Sequence, residues 1–239
     1  KDMKIDWSEL RSVKLLGGEP FLSPNFLDFL YFLDMRTEIS KVNLEIVTNC
    51  TMKMTEEITE ILNQFKYVYL YGSFDGLPEH SMYQRVGSDW YQNFDHFLEY
   101  GELLKNRQMS VHQTFTVINV SHIDEALELY KPHTDTVSWS YDDYKFSFLQ
   151  APDWFEEWVL SRTNNKKLRG IFKSRKYDHI GWHRTLHTID TFDRYYNTSL
   201  EKANPELHEA LRINTKRYVD AHKRPPTRDC YYCDLIDEM

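Results

Sequence analysis

The chain has 239 residues, 41% hydrophobic and 15% aromatic, enough to bury the core of one large domain or of one domain with a smaller appendage. A formal net charge of -8 without any basic stripe argues against a nucleic-acid partner, and no apolar run approaches the ~20 residues that span a bilayer. Three cysteines are too few for a disulfide framework, so a reducing compartment, the cytoplasm, is the expected location.

Five short strands are predicted, at Val13–Leu16, Val42–Val47, Tyr67–Tyr71, Val111–Ile118 and Thr136–Ser140. Most are β-branched or aromatic, and several are near-continuously apolar, as strands covered on both faces tend to be. A helix is expected after Ser23-Pro24, with Phe26, Phe29, Leu30 and Leu33 at three-and-four spacing. A second begins at Thr55, with Glu56 and Glu57 in its first turn, and a third runs from Ser88 to about Asn106. Ser121 and Asp124 resemble a capping pair for a fourth, which ends near Tyr130. Repeated strand-then-helix order predicts parallel strands joined by right-handed crossovers. After about Asp143 the rhythm stops. Residues 1–143 read as a partial barrel and 144–239 as a mainly helical extension, with helices near Trp154–Leu160 and Leu207–Val219.

In parallel α/β folds, sites collect at the carboxyl ends of strands. Polar residues stand there after every predicted strand: Gly17-Gly18-Glu19-Pro20, then Thr48-Asn49-Cys50, then Ser73, Asp75 and Gly76, then Asn119, then Tyr141, Asp142 and Asp143. Taken singly each is ordinary turn or cap chemistry. The first has a specific use, because two glycines let a ligand approach the backbone and Glu19 offers an acceptor for an ammonium group. It is not a phosphate cradle, since neither GxGxxG nor GxxxxGK[ST] is present.

With these residues in view, LLGGEPFLSP resembles the GGEP motif of the radical S-adenosylmethionine (SAM) superfamily. IVTNC is similar to that family's TNG, with Cys50 in place of the glycine, and YGSFDG is similar to its S-[IF]-D-G. Tyr83-x-Arg85 resembles the later arginine segment, and Phe192–Leu207 weakly resembles the region that opens a twitch or SPASM-type extension. The resemblance covers roughly residues 13–143. It implies an open (βα) barrel in which Gly17, Gly18, Glu19 and Pro20 hold the SAM amine. Ser73, Asp75 and Arg85 would hold its carboxylate or ribose, Thr48 and Asn49 would shape the pocket, and Asn119 and Tyr141 would face the adenosine or the substrate. It also implies a four-iron four-sulfur cluster that reductively cleaves SAM, an electron-donor protein, and hydrogen abstraction from a substrate, peptides among the candidates.

The family's CxxxCxxC loop precedes GGEP, yet residues 1–16 contain no cysteine. Two expectations follow: an N-terminally incomplete radical SAM enzyme lacking its first βα unit, or a cluster-free binding module that recognises a peptide or partner protein. An unrelated barrel hydrolase using Asp75, Asp142 or Asp143 leaves the joint motifs unexplained. Cys230 and Cys233 form a CxxC, half of an auxiliary metal site. His183 and His187 are four apart without an intervening carboxylate, which reads as packing or surface rather than a metal pair.

Overall fold

The computed structural model describes residues 6–141, 146–149, 151–174 and 179–222; for residues 179–181, 183 and 215–222 it describes backbone alone. The five strands are β1 (Ser12–Leu15), β2 (Asn43–Thr48), β3 (Tyr67–Ser73), β4 (Arg107–Phe115) and β5 (Thr136–Tyr141), in the sheet order β1-β2-β3-β4-β5. All run parallel. Ser12 pairs with Asn43 and Asn43 with Tyr67, while Val68 pairs with Arg107. Each crossover steps to the next strand in the same direction. With right-handed crossovers that order keeps the intervening helices on one face, as in a (βα) barrel, whereas a doubly wound sheet reverses. The chain is thus an α/β protein built on a partial barrel of parallel strands.

The sheet corrects one expectation. β2 and β3 alternate strictly between buried and half-buried positions. Leu44, Ile46, Val68 and Leu70 are buried on one face. Asn43, Glu45, Tyr67, Tyr69, Tyr71 and Ser73 are half-exposed on the other. These are half-covered strands, and the apolar look of YVYLY comes from tyrosines on the open face.

The helices between the strands are α1 (Phe26–Arg36), α2 (Glu56–Leu62), α3 (Pro78–Gln84), α4 (Trp90–Leu103) and α5 (Ile123–Tyr130). Thr55 caps α2 by accepting from the Ile58 amide. Three starts differ from the sequence expectation. α1 begins at Phe26 after a turn in which the Phe26 amide donates to the Ser23 carbonyl. Asp89, not Ser88, caps α4, while the Ser88 hydroxyl accepts from Asn93. Ser121 and Asp124 do not cap α5: Ser121 bonds to His122, and Asp124 accepts from Thr163 and Asn164. β4 starts and ends earlier than expected, because Thr116–Asn119 is a turn although Val117 and Ile118 are fully buried. α3 was not anticipated; its short span buries two polar residues, His80 and Ser81, which masks its apolar period.

The described residues form two compact units that alternate along the chain. One comprises 6–74, 88–113 and 130–138 and so holds most of the sheet; the other comprises 75–87, 114–129 and the described residues from 139 onward. In the first, Phe74 packs against Trp90, Phe94, Phe97 and Tyr130. The second contains α6 (Asp153–Leu160), α7 (Lys166–Ser174), α8 (His179–Tyr195), α9 (Leu200–Ala203) and α10 (Pro205–His222), around a core that includes Phe115, Ile118, Phe148, Phe155 and Ile189. No helix among the described residues is long and apolar enough to cross a membrane.

Candidate functional site

The residues expected at the site gather into two groups, one in each unit. In the first, β1 ends and the chain turns through Gly17 at φ 89° and Gly18 at φ 54°, left-handed conformations that favour glycine. Both glycines are exposed, and a Cβ added at either meets nothing within 4 Å. Their requirement is therefore conformational, and the space before them is open. A cleft of about 350 Å3 adjoins, lined by Lys14, Leu16, Gly17, Glu19, Asn25 and Phe29 among others.

Glu19 follows, half-buried. Its Oε1 accepts from the Phe21 amide at 3.2 Å and the Thr48 hydroxyl at 2.8 Å, and its Oε2 from the Asn49 amide at 2.6 Å. One carboxylate thus ties the β1 exit to the β2 exit. Pro20, buried, starts the 3-10 turn Pro20–Leu22. The β2 exit is held further. Thr48 Oγ1 accepts from the Cys50 amide at 2.9 Å, Asn49 Oδ1 accepts from the Thr51 amide at 3.1 Å, His96 Nδ1 lies 3.0 Å from the Cys50 carbonyl, and the Tyr100 hydroxyl donates to the Met52 carbonyl. Burial, with the nearby Cys50 and Glu19, raises the Tyr100 phenol above its ordinary range and keeps it protonated as a donor. Cys50 itself sits at φ 61° and is fully buried. The position where the resembled motif has glycine therefore keeps glycine's backbone shape. Ser73, half-exposed at the end of β3, makes no side-chain hydrogen bond among the described residues.

The second group centres on Asp75, which is buried. Its Oδ1 accepts from the Thr114 amide at 2.8 Å and its Oδ2 from Arg85 Nε at 2.7 Å. Arg85 follows α3, and among the described residues it is held through Nε alone. Asn119 shapes the turn after β4. It is fully buried: its Oδ1 accepts from the Thr116 amide at 2.7 Å and its Nδ2 donates to the Thr114 carbonyl at 3.0 Å. Both ends of the amide close the turn after β4. Gly76, at φ 82°, lies so near that an added Cβ would stand 2.8 Å from the Asn119 Cβ. Tyr141 is 41% exposed at the end of β5, where its ring packs 6.1 Å from Phe148.

Cys230, Cys233, Asp142 and Asp143 lie outside the described residues. His187 is exposed on α8. No three His, Cys, Asp or Glu side chains come together as a metal site among the described residues.

The structure also shows residues that motif reading passed over. On the open face of the sheet, His112 Nδ1 lies 3.0 Å from the Ser138 hydroxyl and Ser73 pairs with His112 in register. Nearby, Ser110 bonds to Thr136 at 2.7 Å, and Lys14 pairs with Glu45 at 3.1 Å. The alternation Ser110-Val111-His112-Gln113 carried part of this signal. His96 and Tyr100, one turn apart on α4, were legible only as a helical i, i+4 pair.

No protein-family model matches the chain, and no curated protein matches it. Among solved structures it is similar to Streptococcus suis SuiB bound to S-adenosylmethionine, at 20% identity and a TM-score of 0.46, over 63% of this chain and 34% of that one. SuiB bound to precursor peptide SuiA gives 18% identity and a TM-score of 0.43, over 82% and 40%. Native anSMEcpe with bound AdoMet and Kp18Cys peptide gives 17% and 0.41, over 57% and 41%. The chain spans well under two thirds of each.

Proposed function

We propose that the chain is the SAM-holding part of a radical SAM enzyme, with the ligand's amino end on the loop after β1. The observation that carries this reading is Gly17-Gly18: two exposed glycines in left-handed conformation, with open space where side chains would stand. Their main-chain groups would meet the ligand. Glu19 acts as a positioning residue, because its carboxylate is spent on Phe21, Thr48 and Asn49 rather than offered to an ammonium group. In the second unit, Arg85 is bonded to Asp75 through Nε and keeps its outer nitrogens as donors. When bound, SAM supplies a reductively cleavable carbon–sulfur bond.

The implied iron–sulfur cluster does not fit the described residues. Cys50 is the only described cysteine, and its thiol is buried and directed at the Thr48 carbonyl. The chemistry assigned to these residues therefore ends at holding the sulfonium ligand. A peptide substrate and an electron-donor protein belong to the enzyme reading. The second reading, a cluster-free module that binds a peptide or partner, is favoured by the internal satisfaction of Glu19, Asp75 and Asn119.

Calorimetric titration with SAM tests the assignment. Binding is expected, and Gly17→Ala with Gly18→Ala should weaken it about tenfold or more, since a left-handed L-residue costs roughly 1–2 kcal/mol. Absence of binding by the folded wild type, or equal binding by the double variant, would sink the assignment.

A further inference from the structure

The second unit holds a cleft that shares no residue with the loop after β1. Its volume is about 230 Å3, and α3 and α9 line it. Glu79, Met82 and Tyr83 come from one helix; Ser199, Lys202 and Ala203 come from the other with its cap. Both sets have i, i+3, i+4 spacing, so each helix turns one face to the cleft. Tyr83 is buried and fixed, its hydroxyl donating to the Ile189 carbonyl at 3.3 Å and its ring 5.9 Å from Phe192. The hydroxyls at the rim are already used: Thr198 donates to the Phe192 carbonyl at 2.6 Å, and Ser199 accepts from the Lys202 amide at 3.3 Å. What remains is an apolar floor of Met82, Tyr83 and Ala203 below two opposite charges.

Glu79 and Lys202 are both exposed, and neither forms an ion pair among the described residues, with each other or with a third group. A ligand that answers both carries an ammonium and a carboxylate, and an apolar body to displace water from the floor. At about 230 Å3 the cleft lies below the roughly 300–1,000 Å3 of pockets for drug-sized ligands, which restricts its occupant to a small molecule. We propose that this cleft binds a free α-amino acid with an aliphatic or thioether side chain. The charged ends select the zwitterion, and the floor selects the side chain.

The test is NMR of methyl-labelled methionine in the whole chain, with the Met82 signal assigned through Met82→Leu. L-leucine and L-methionine are titrated to roughly 20 mM, where a millimolar site saturates. The expected result is a saturable Met82 shift with the amino acids and none with N-acetyl-L-leucinamide, which keeps the side chain without the charges. Glu79→Gln and Lys202→Met should each weaken binding about threefold, as exposed ion pairs do, and Ala203→Leu should abolish it. The proposal is overturned if no amino acid gives a saturable shift, if the neutral amide binds equally, or if folded Ala203→Leu still binds. Should Ala203→Leu fail to fold, Lys202→Met decides, and unchanged affinity in that variant overturns the proposal. SAM binding at Gly17 and Gly18 is a separate measurement, so the two can fail independently.

Discussion

Glu19 shows how a ligand-type residue becomes a structural one. A carboxylate has about four acceptor positions, and three neighbours use this one. Glu19→Gln keeps the shape but turns an NH2 toward donors that need an acceptor. The expected loss is about 1–3 kcal/mol, read as a lower urea midpoint with unchanged m. An unchanged midpoint would show that the tie between the β1 and β2 exits is not energetically important. Cys50 poses the opposite question, an L-residue at φ 61° in the core. Cys50→Gly relieves roughly 1 kcal/mol of left-handed strain and loses a similar amount through glycine's chain entropy and the missing side chain. It should lie within about 1 kcal/mol of wild type. Cys50→Val, β-branched at the same φ, should cost more than about 2 kcal/mol. Equal stability of the two variants would mean that the left-handed shape does not govern this position.

At the scale of elements, the turn after β4 is the sharpest case. Asn119 satisfies the Thr116 amide and the Thr114 carbonyl with one side chain. Asn119→Ala strips both, at about 1–3 kcal/mol for each group left buried without a partner, and should leave SAM affinity unchanged in the folded protein. A loss of SAM affinity without a loss of stability would return Asn119 to the ligand. The sequence cannot separate these roles, because an asparagine at a strand exit has the same local pattern whether its amide folds back on the chain or points at a ligand. Where periodicity was strong, the elements are where they were expected: β2 and β3 differ by a residue or two at their ends, while α2 stops at Leu62, a turn short of Phe65. Gly17, Gly18, Thr48 and Asn49 were legible as strand-end residues, and Glu19 ties the β1 exit to Thr48 and Asn49. Arg85 was legible only through the resemblance, since nothing local says that a residue ten positions after Asp75 returns to it. Half-covered strands were misread because tyrosine counts as apolar in a pattern yet serves an open face with its ring and hydroxyl.

For the whole molecule, the informative group is one that neither motif nor site uses. His80 on α3 is buried, its Nδ1 lacks a hydrogen-bond partner among the described residues, and its ring lies 4.9 Å from that of His122. Burial first, and His122 second, push its pKa down from 6.5 to about 3. The folded value lies below the unfolded one, so the unfolded chain takes up the proton first as pH falls. The neutral imidazole's contribution is fully present above pH 6.5 and is lost progressively as pH drops toward 3. Across that window the global unfolding free energy should fall by about 1.4 kcal/mol per pH unit on account of this residue alone. Carboxylates titrate in the same range, so the measurement is a difference between proteins. His80→Leu fills a similar volume, removes the unpaired nitrogen and cannot be protonated. Near pH 7 it should lie within about 1 kcal/mol of wild type. At pH 4.5 it should be more stable than wild type by about 2–3 kcal/mol relative to that starting difference. Urea unfolding of both proteins from pH 7 to 4.5 reads this directly. Parallel curves would mean that the folded chain admits the proton to His80, and that the packing of α3 around it is looser than the structure shows.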